Sequence, residues 1–246
     1  ITELHSLTVA WQCEGIRVRA AMTELRPKDW VKSYYADRFE QYGYCARGAD
    51  WSSHRDMNRR FELLASVSRM GNDEILNDPN LVILDYGSGL AHLYEWLTEQ
   101  GYKGTYVAYD LVDSSLAASH DRFSHCVNFT STNCLSTVNK VDMVWASGIF
   151  NVKGDMNSED WVSGFVLPSL REMLALVPDV LAMNFLRNDT RFPSRRSDLF
   201  HTNQGETRTL LTNLLNRDAP LADWSMEFRE DYELNEFTVV VKLRST

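Results

Sequence analysis

Short apolar runs alternate with amphipathic stretches along most of the chain, most clearly between residues 81 and 185. Leu81-Val82-Ile83-Leu84 is a continuous apolar run, the pattern of a strand buried on both faces. It ends in Asp85-Tyr86-Gly87-Ser88-Gly89. Leu90, Leu93, Tyr94 and Leu97 then recur at helical spacing up to Gly101. A second strand is expected over 105–109, ending at Asp110, and a helix over about 114–123. Weaker apolar runs predict strands over 125–129 and 141–146. A helix over about 158–177 places Trp161, Phe165, Leu170, Leu174 and Val177 on one face, and a strand follows over 180–185. Strands alternating with helices imply a parallel sheet covered on both sides.

The two ends read differently. Leu7–Trp11 and Ile16–Arg19 alternate loosely around Glu14-Gly15 and fit a hairpin. Arg26-Pro27-Lys28-Asp29 is a break, with Asp29 suited to cap a helix. Residues 30–70 then read as mostly helical. The first part is crowded with rings: Trp30, Tyr34, Tyr35, Phe39, Tyr42, Tyr44 and Trp51. From Asp56 to Met70 the pattern is a plain amphipathic helix. Near the C-terminus a leucine-rich helix is expected over 207–215. Strands over 225–232 and 237–243 follow, separated by hairpin spacing, so the last strand should run antiparallel to its neighbour.

Composition narrows the class. Hydrophobic residues make up 44% of 246, enough for a sizeable core. With 25 Lys+Arg against 34 Asp+Glu, the formal net charge is −9, which argues against a sequence-independent grip on a nucleic-acid backbone. Cys13, Cys45, Cys126 and Cys134 form no CxxC pair, so a reducing, cytoplasmic setting is expected, with no metal site. No apolar run approaches the length of a membrane helix. No secretory leader is read at the N-terminus, and Ile1 is not an initiator residue. Residues 1–26 read equally as a dimer arm in a homodimer, a lid, or the remnant of a longer chain.

The chemistry concentrates at the turn Asp85-x-Gly87-x-Gly89. Glycines between a buried strand and a helix let a ligand approach the backbone, near the first helical N–H groups. Such sites lie beyond the carboxyl ends of the strands. Asp110, at the end of the second strand, can accept both hydroxyls of a ribose, so an adenosine-type cofactor is expected. A nicotinamide dinucleotide site would want a small sixth residue in the glycine motif, and here it is His92. An anion at Asp85 would also repel a pyrophosphate. It suits a cation instead, such as the ammonium and sulfonium of S-adenosylmethionine.

Leu84-Asp85-Tyr86-Gly87-Ser88-Gly89, then Asp110, then Asp142, resemble the class I S-adenosylmethionine-dependent methyltransferases over residues 55–243. The likeness is closer to a bacterial subgroup of small methyltransferases with mostly unassigned substrates. It rests on Arg60-Phe61, Ala146-Ser147-Gly148-Ile149-Phe150-Asn151, Asn184-Phe185-Leu186, Asp231-Tyr232 and Glu236-Phe237-Thr238-Val239. The resemblance implies an α/β fold: a doubly wound, Rossmann-like, seven-stranded and mostly parallel sheet with an antiparallel C-terminal hairpin strand. Residues 1–54 would form an N-terminal extension and helical lid, and 55–246 the cofactor-binding domain.

The resemblance also implies roles. Asp85, Gly87 and Gly89, with Tyr86 and Ser88, would hold the methionine part of the cofactor. Asp110 would hold the ribose and Leu111 the adenine ring, with Asn133 and Cys134 near its amino group; Ser147 would join them. Ala91 stands where the third glycine of the motif is common. Tyr34, Tyr35, Tyr42, Trp51, Phe150, Asn151 and Arg191 are expected around a small-molecule acceptor, such as a sugar or natural product. An oxygen acceptor that is not acidic needs a general base, and the candidates are His92, His54, His201 and Asp231. Asp142 is expected to be structural. Competing readings are a catalytically silent cofactor-binding regulator, a protein or nucleic-acid methyltransferase, and a nucleotide-dependent oxidoreductase.

Overall fold

The apolar run forms strand β1 (Val82–Tyr86), in which Ile83 and Leu84 are fully buried on opposite faces and belong to separate apolar clusters. A computed structural model describes residues 26–68, 76–188, 196–219, 223–230 and 234–244 of the chain. The expected hairpin before residue 26 lies outside the described residues, as do Asp231 and Arg191. Around β1 stand β2 (Thr105–Tyr109), β3 (Phe129–Thr132), β4 (Met143–Ala146), β5 (Val180–Arg187), β7 (Asp223–Arg229) and β8 (Glu236–Arg244), in the order β3-β2-β1-β4-β5-β8-β7. Only β8 runs against its neighbours on this path; Val180 to Leu186 face Lys242 to Glu236 across the antiparallel register. A further two-residue strand, β6 (His201–Thr202), pairs parallel with the end of β5, giving eight strands among the described residues where seven were expected.

Helices cover both faces. Helices α2 (His54–Val67) and α3 (His92–Glu99) pack Leu64, Phe61 and Tyr94 against Ile83 and Tyr106. On the other face, α5 (Ser158–Trp161), a π-helical segment (Val162–Val166) and α6 (Leu167–Leu174) supply Trp161, Phe165 and Leu170. Helix α7 (Gln204–Asp218) adds Leu211 and Leu214 there, and α4 (Asp113–Phe123) follows β2. The single helix expected over 158–177 is therefore interrupted and ends earlier. Val177 stands beyond it with left-handed backbone (φ 50°) and 74% exposure, not on the apolar face. The third strand is also shifted: Val127 is wholly exposed in the turn, and pairing with β2 begins at Phe129.

The crowded aromatic region divides in two. Helix α1 (Pro27–Tyr42) ends at Gly43, and a 3-10 turn (Ala46–Ala49) leads to α2. Val31 is the one buried residue of α1, so the helix does not dock by an apolar stripe. It docks by rings placed over glycines. A side chain at Gly154 would strike the Trp30 ring, and a Cβ at Gly164 would lie 2.7 Å from Pro27. Lys28–Glu172 and Lys32–Asp113 ion pairs tie the same helix to α6 and α4. No helix among the described residues is long and apolar enough to cross a membrane.

Candidate active site

The turn after β1 is held from the backbone outward. Gly87 and Ser88 both donate their N–H to the carbonyl of Tyr109, at 2.8 and 3.0 Å, which fixes the turn to the end of β2. Gly87 (φ 80°) and Gly89 (φ 52°) take left-handed conformations, and a Cβ on Gly87 would run into Ile149. Ala91 adopts the same region (φ 56°) despite its methyl group and caps α3. The Asp110 carboxylate accepts from Gly89 N–H at 2.7 Å and from Val112 N–H at 2.8 Å. One oxygen bonds each amide, so each keeps a lone pair.

Asp85 and Asp110 are 3% and 8% exposed, and no cation stands within ion-pair distance of either among the described residues. The Tyr106 hydroxyl donates to Asp85. Burial pushes the Asp85 carboxyl up to about 7, against the pull of that hydrogen bond and with the Asp110 charge adding to the rise. Burial also raises Asp110, partly offset by its backbone hydrogen bonds.

Both carboxylates line a cavity of about 280 Å³ at the carboxyl edge of the sheet. Of the residues expected to bind cofactor, Tyr86, Gly87, Ser88, Gly89, Leu111 and Ser147 line it too. Tyr35, Trp51 and Asn151 do so among those expected near the acceptor, and His92 among the bases. His92 is 5% exposed, with Tyr44 set edgewise at 4.7 Å and Glu95 at 3.7 Å from Nδ1. Burial lowers its pKa, so the imidazole is neutral at pH 7. Ser88 Oγ, Ser147 Oγ and Asn151 Oδ1 are buried at this wall without a hydrogen-bond partner.

Other expected residues stand elsewhere. The Tyr34 hydroxyl is turned to Asp50 (2.9 Å), and Tyr42 lies under the Arg38 guanidinium. Phe150 is fully buried, stacked on Phe185 at 5.0 Å. Asn133 donates to Asp113 at 3.0 Å and Cys134 is exposed, because the chain turns after β3 with Cys134 N–H on Thr132 Oγ1. His54 is exposed, its ring 6.1 Å from His92, and His201 lies in β6. None of these seven lines the cavity. Arg60, Glu236 and Asp50 do, and sequence reasoning did not place them there; Arg196, of the basic loop after the fifth expected strand, lines it too. Asp50 is paired with Arg38 at 3.0 Å and with Arg196 at 3.7 Å.

No protein-family model matches the chain, and no curated protein matches it in sequence. Solved structures do match in shape. Magnesium protoporphyrin IX methyltransferase from Synechocystis PCC 6803, solved with S-adenosylmethionine bound, superposes with a TM-score of 0.57 at 15% identity, covering 90% of this chain and 98% of that one. The chain has the class I methyltransferase fold. The 1,6-didemethyltoxoflavin N1-methyltransferase from Burkholderia thailandensis, solved with S-adenosylhomocysteine, gives 0.53 at 16% identity over 90% of this chain and 92% of that one. The small RNA methyltransferase HEN1 gives 0.55 at 14%; the match covers 78% of this chain but 25% of HEN1.

The residues present fit the cofactor of that methyltransferase fold. Two buried carboxylates without a cationic partner suit a ligand carrying ammonium and sulfonium charges. The turn between them carries no side chain that would bar the approach: the nearest atom to a Cβ on Gly89 is Ala49 Cβ, at 3.9 Å. The unpartnered serine and asparagine oxygens supply further polar contacts.

Proposed function

We propose that the chain is an S-adenosylmethionine-dependent methyltransferase acting on an oxygen or nitrogen atom of a small molecule. The observation that carries this reading is the pair of buried carboxylates, Asp85 and Asp110, set across a glycine turn at the carboxyl edge of the sheet. S-adenosylmethionine supplies a methyl group already activated on a sulfonium. Asp85 holds the cationic methionine end, with Gly87, Ser88 and Gly89 offering backbone and hydroxyl contacts. Asp110 takes the ribose hydroxyls on the lone pairs its amide bonds leave. Leu111 packs against the adenine.

The protein's main task is then alignment of the acceptor. Tyr35, Trp51 and Asn151 border that part of the cavity, under the roof that α1 and the 3-10 turn provide. His92 is the base that the geometry favours. Both ring nitrogens are buried without a hydrogen-bond partner, and the neutral ring leaves one of them free to take a proton from the acceptor. Residues before 55 serve as the lid, and the cavity of about 280 Å³ and net charge of −9 favour a small acceptor over a nucleic acid. The same reading has the enzyme working in the cytoplasm, away from membranes.

Calorimetric titration with S-adenosylhomocysteine tests the cofactor assignment. The wild type should bind at micromolar Kd or tighter, and Asp110→Ala should weaken binding about tenfold or more, or about 1.4 kcal/mol. Equal affinity in the two proteins would remove the ribose role. Transfer of labelled methyl from S-adenosylmethionine into a pool of small metabolites separates an enzyme from a silent cofactor-binding protein.

A further inference from the structure

Three residues of the sequence resemblance that have no role in the reading above meet at one wall of the cavity: Arg60 of α2, Asn184 of β5 and Glu236 of β8. Glu236 is 1% exposed and is gripped by the Arg60 guanidinium, with Nε at 2.8 and 2.9 Å from its two oxygens. Its Oε2 also accepts from Asn184 Nδ2 at 2.5 Å. At the other end of that amide, Asn184 Oδ1 accepts from the backbone N–H of Gly148 at 2.7 Å. Gly148 has φ 76°, and a Cβ there would lie 2.6 Å from the Trp51 ring, so the indole packs directly on its backbone. Trp51 closes the circuit, because the Arg60 guanidinium stands 4.8 Å from the centroid of its ring.

Five residues from five separate segments thus form a closed loop of contacts, and all but Asn184 line the cavity. Burying an ion pair costs desolvation that its attraction often only offsets, and apolar packing would hold α2 to β8 without that cost. What the polar circuit adds is direction. A forked guanidinium and an amide fix the Gly148 backbone in one orientation. The loop continues into Ile149, which fills the space a side chain on Gly87 would need. The circuit therefore reaches the glycine turn through Gly148 and Ile149.

We propose that the Arg60–Glu236–Asn184 circuit is a positioning device. It sets Trp51 and the Gly148–Ile149 loop against the glycine turn, and so raises the affinity of the cavity for the cofactor by pre-organising its wall. This rests on the methyltransferase reading. Asn184 is a positioning residue in the strict sense, since it acts through Gly148 from behind the cavity wall.

The test is S-adenosylhomocysteine titration of the wild type, Asn184→Ala, Arg60→Lys and the double variant, each with its thermal unfolding recorded. Arg60→Lys keeps the charge and loses the fork. Each single variant should bind about fivefold more weakly or worse. The double variant should weaken by less than the product of the two, because both changes break one circuit without touching each other. Lower unfolding temperatures with unchanged Kd would overturn the proposal and leave the circuit a purely stabilising one. Strictly multiplicative effects would overturn it as well. Where Asn184→Ala fails to fold, Trp51→Phe with Arg60→Lys breaks the circuit at its opposite end, with the same two refuting outcomes. No binding by the wild type would overturn the cofactor reading and this inference together, whereas binding that the variants leave intact overturns this inference alone.

Discussion

Replacing Asp85 with asparagine keeps the shape of the side chain and an acceptor for the Tyr106 hydroxyl, and removes the charge. The carboxyl titrates at about 7 in the folded chain, against an ordinary value of 3.8. Between those values the folded protein holds a proton that the unfolded chain has lost. Stability therefore falls by about 1.4 kcal/mol for each pH step across that window, or about 4 kcal/mol from pH 4 to pH 7, and is level above it. That 4 kcal/mol is a ceiling, since water entry and relaxation share the cost and the amide itself must be desolvated. Asp85→Asn should recover about half of it at pH 8, roughly 2 kcal/mol or 4–8 °C of Tm. At pH 4 the wild-type carboxyl is protonated and the gain should vanish. The assay is thermal or urea unfolding of both proteins at the two pH values, beside S-adenosylhomocysteine titration at pH 8. Affinity should drop about tenfold or more while stability rises, as expected where a binding site is built at a cost to the fold. A variant less stable than wild type at pH 8 would mean that the carboxylate has a cationic partner, and equal stabilisation at pH 4 would mean that the gain does not come from removing a charge; either result refutes the reasoning.

Two other outcomes follow from named contacts. Tyr106→Phe removes the hydroxyl that opposes the rise of the Asp85 carboxyl, so the pH at which S-adenosylhomocysteine affinity half-develops should move above about 7; an unmoved titration midpoint refutes the link. Asp142 accepts from Val82 N–H at 2.7 Å at the edge of the sheet remote from the cavity, so Asp142→Ala should cost about 1–2 kcal/mol in denaturant unfolding and leave cofactor affinity unchanged.

How much of this was legible in the sequence depended on whether the signal was local. The run Leu81–Leu84 and the glycines at 87 and 89 sit within nine residues, and they marked β1 and the turn that borders the cavity. Asp110 was found because one strand and one helix separate it from that turn. The Arg60–Glu236 contact spans 176 positions, and neither residue breaks a local pattern: one is an arginine on an amphipathic helix, the other a polar residue at the start of an apolar strand. Asn133 and Cys134 stand away from the cavity because the chain turns after β3, with Cys134 N–H on Thr132 Oγ1 and the Asn133 amide on Asp113, contacts that no local pattern marks. Phe150 was read as lining the cleft on position alone. The Asn151 carbonyl accepts from Phe200 N–H and the indole of Trp161 donates to the Phe150 carbonyl, so the ring is turned inward onto Phe185.

The docking of α1 bears on how a ligand gets in. This helix buries one residue of its own and rests on Gly154 and Gly164 through rings, with exposed or half-buried lysine pairs at its flank. The sheet beneath it holds the fully buried side chains of β1, β2 and β4. Local opening draws on the elements with fewest buried apolar contacts. Hydrogen exchange should therefore find the amides of α1 opening before those of the sheet. The deep end of the cavity, where Asp85 and Asp110 lie, rests on the buried strands instead. On the proposed lid reading the cavity joins two levels of stability: a floor built from buried strands and a ceiling held by a few ring contacts.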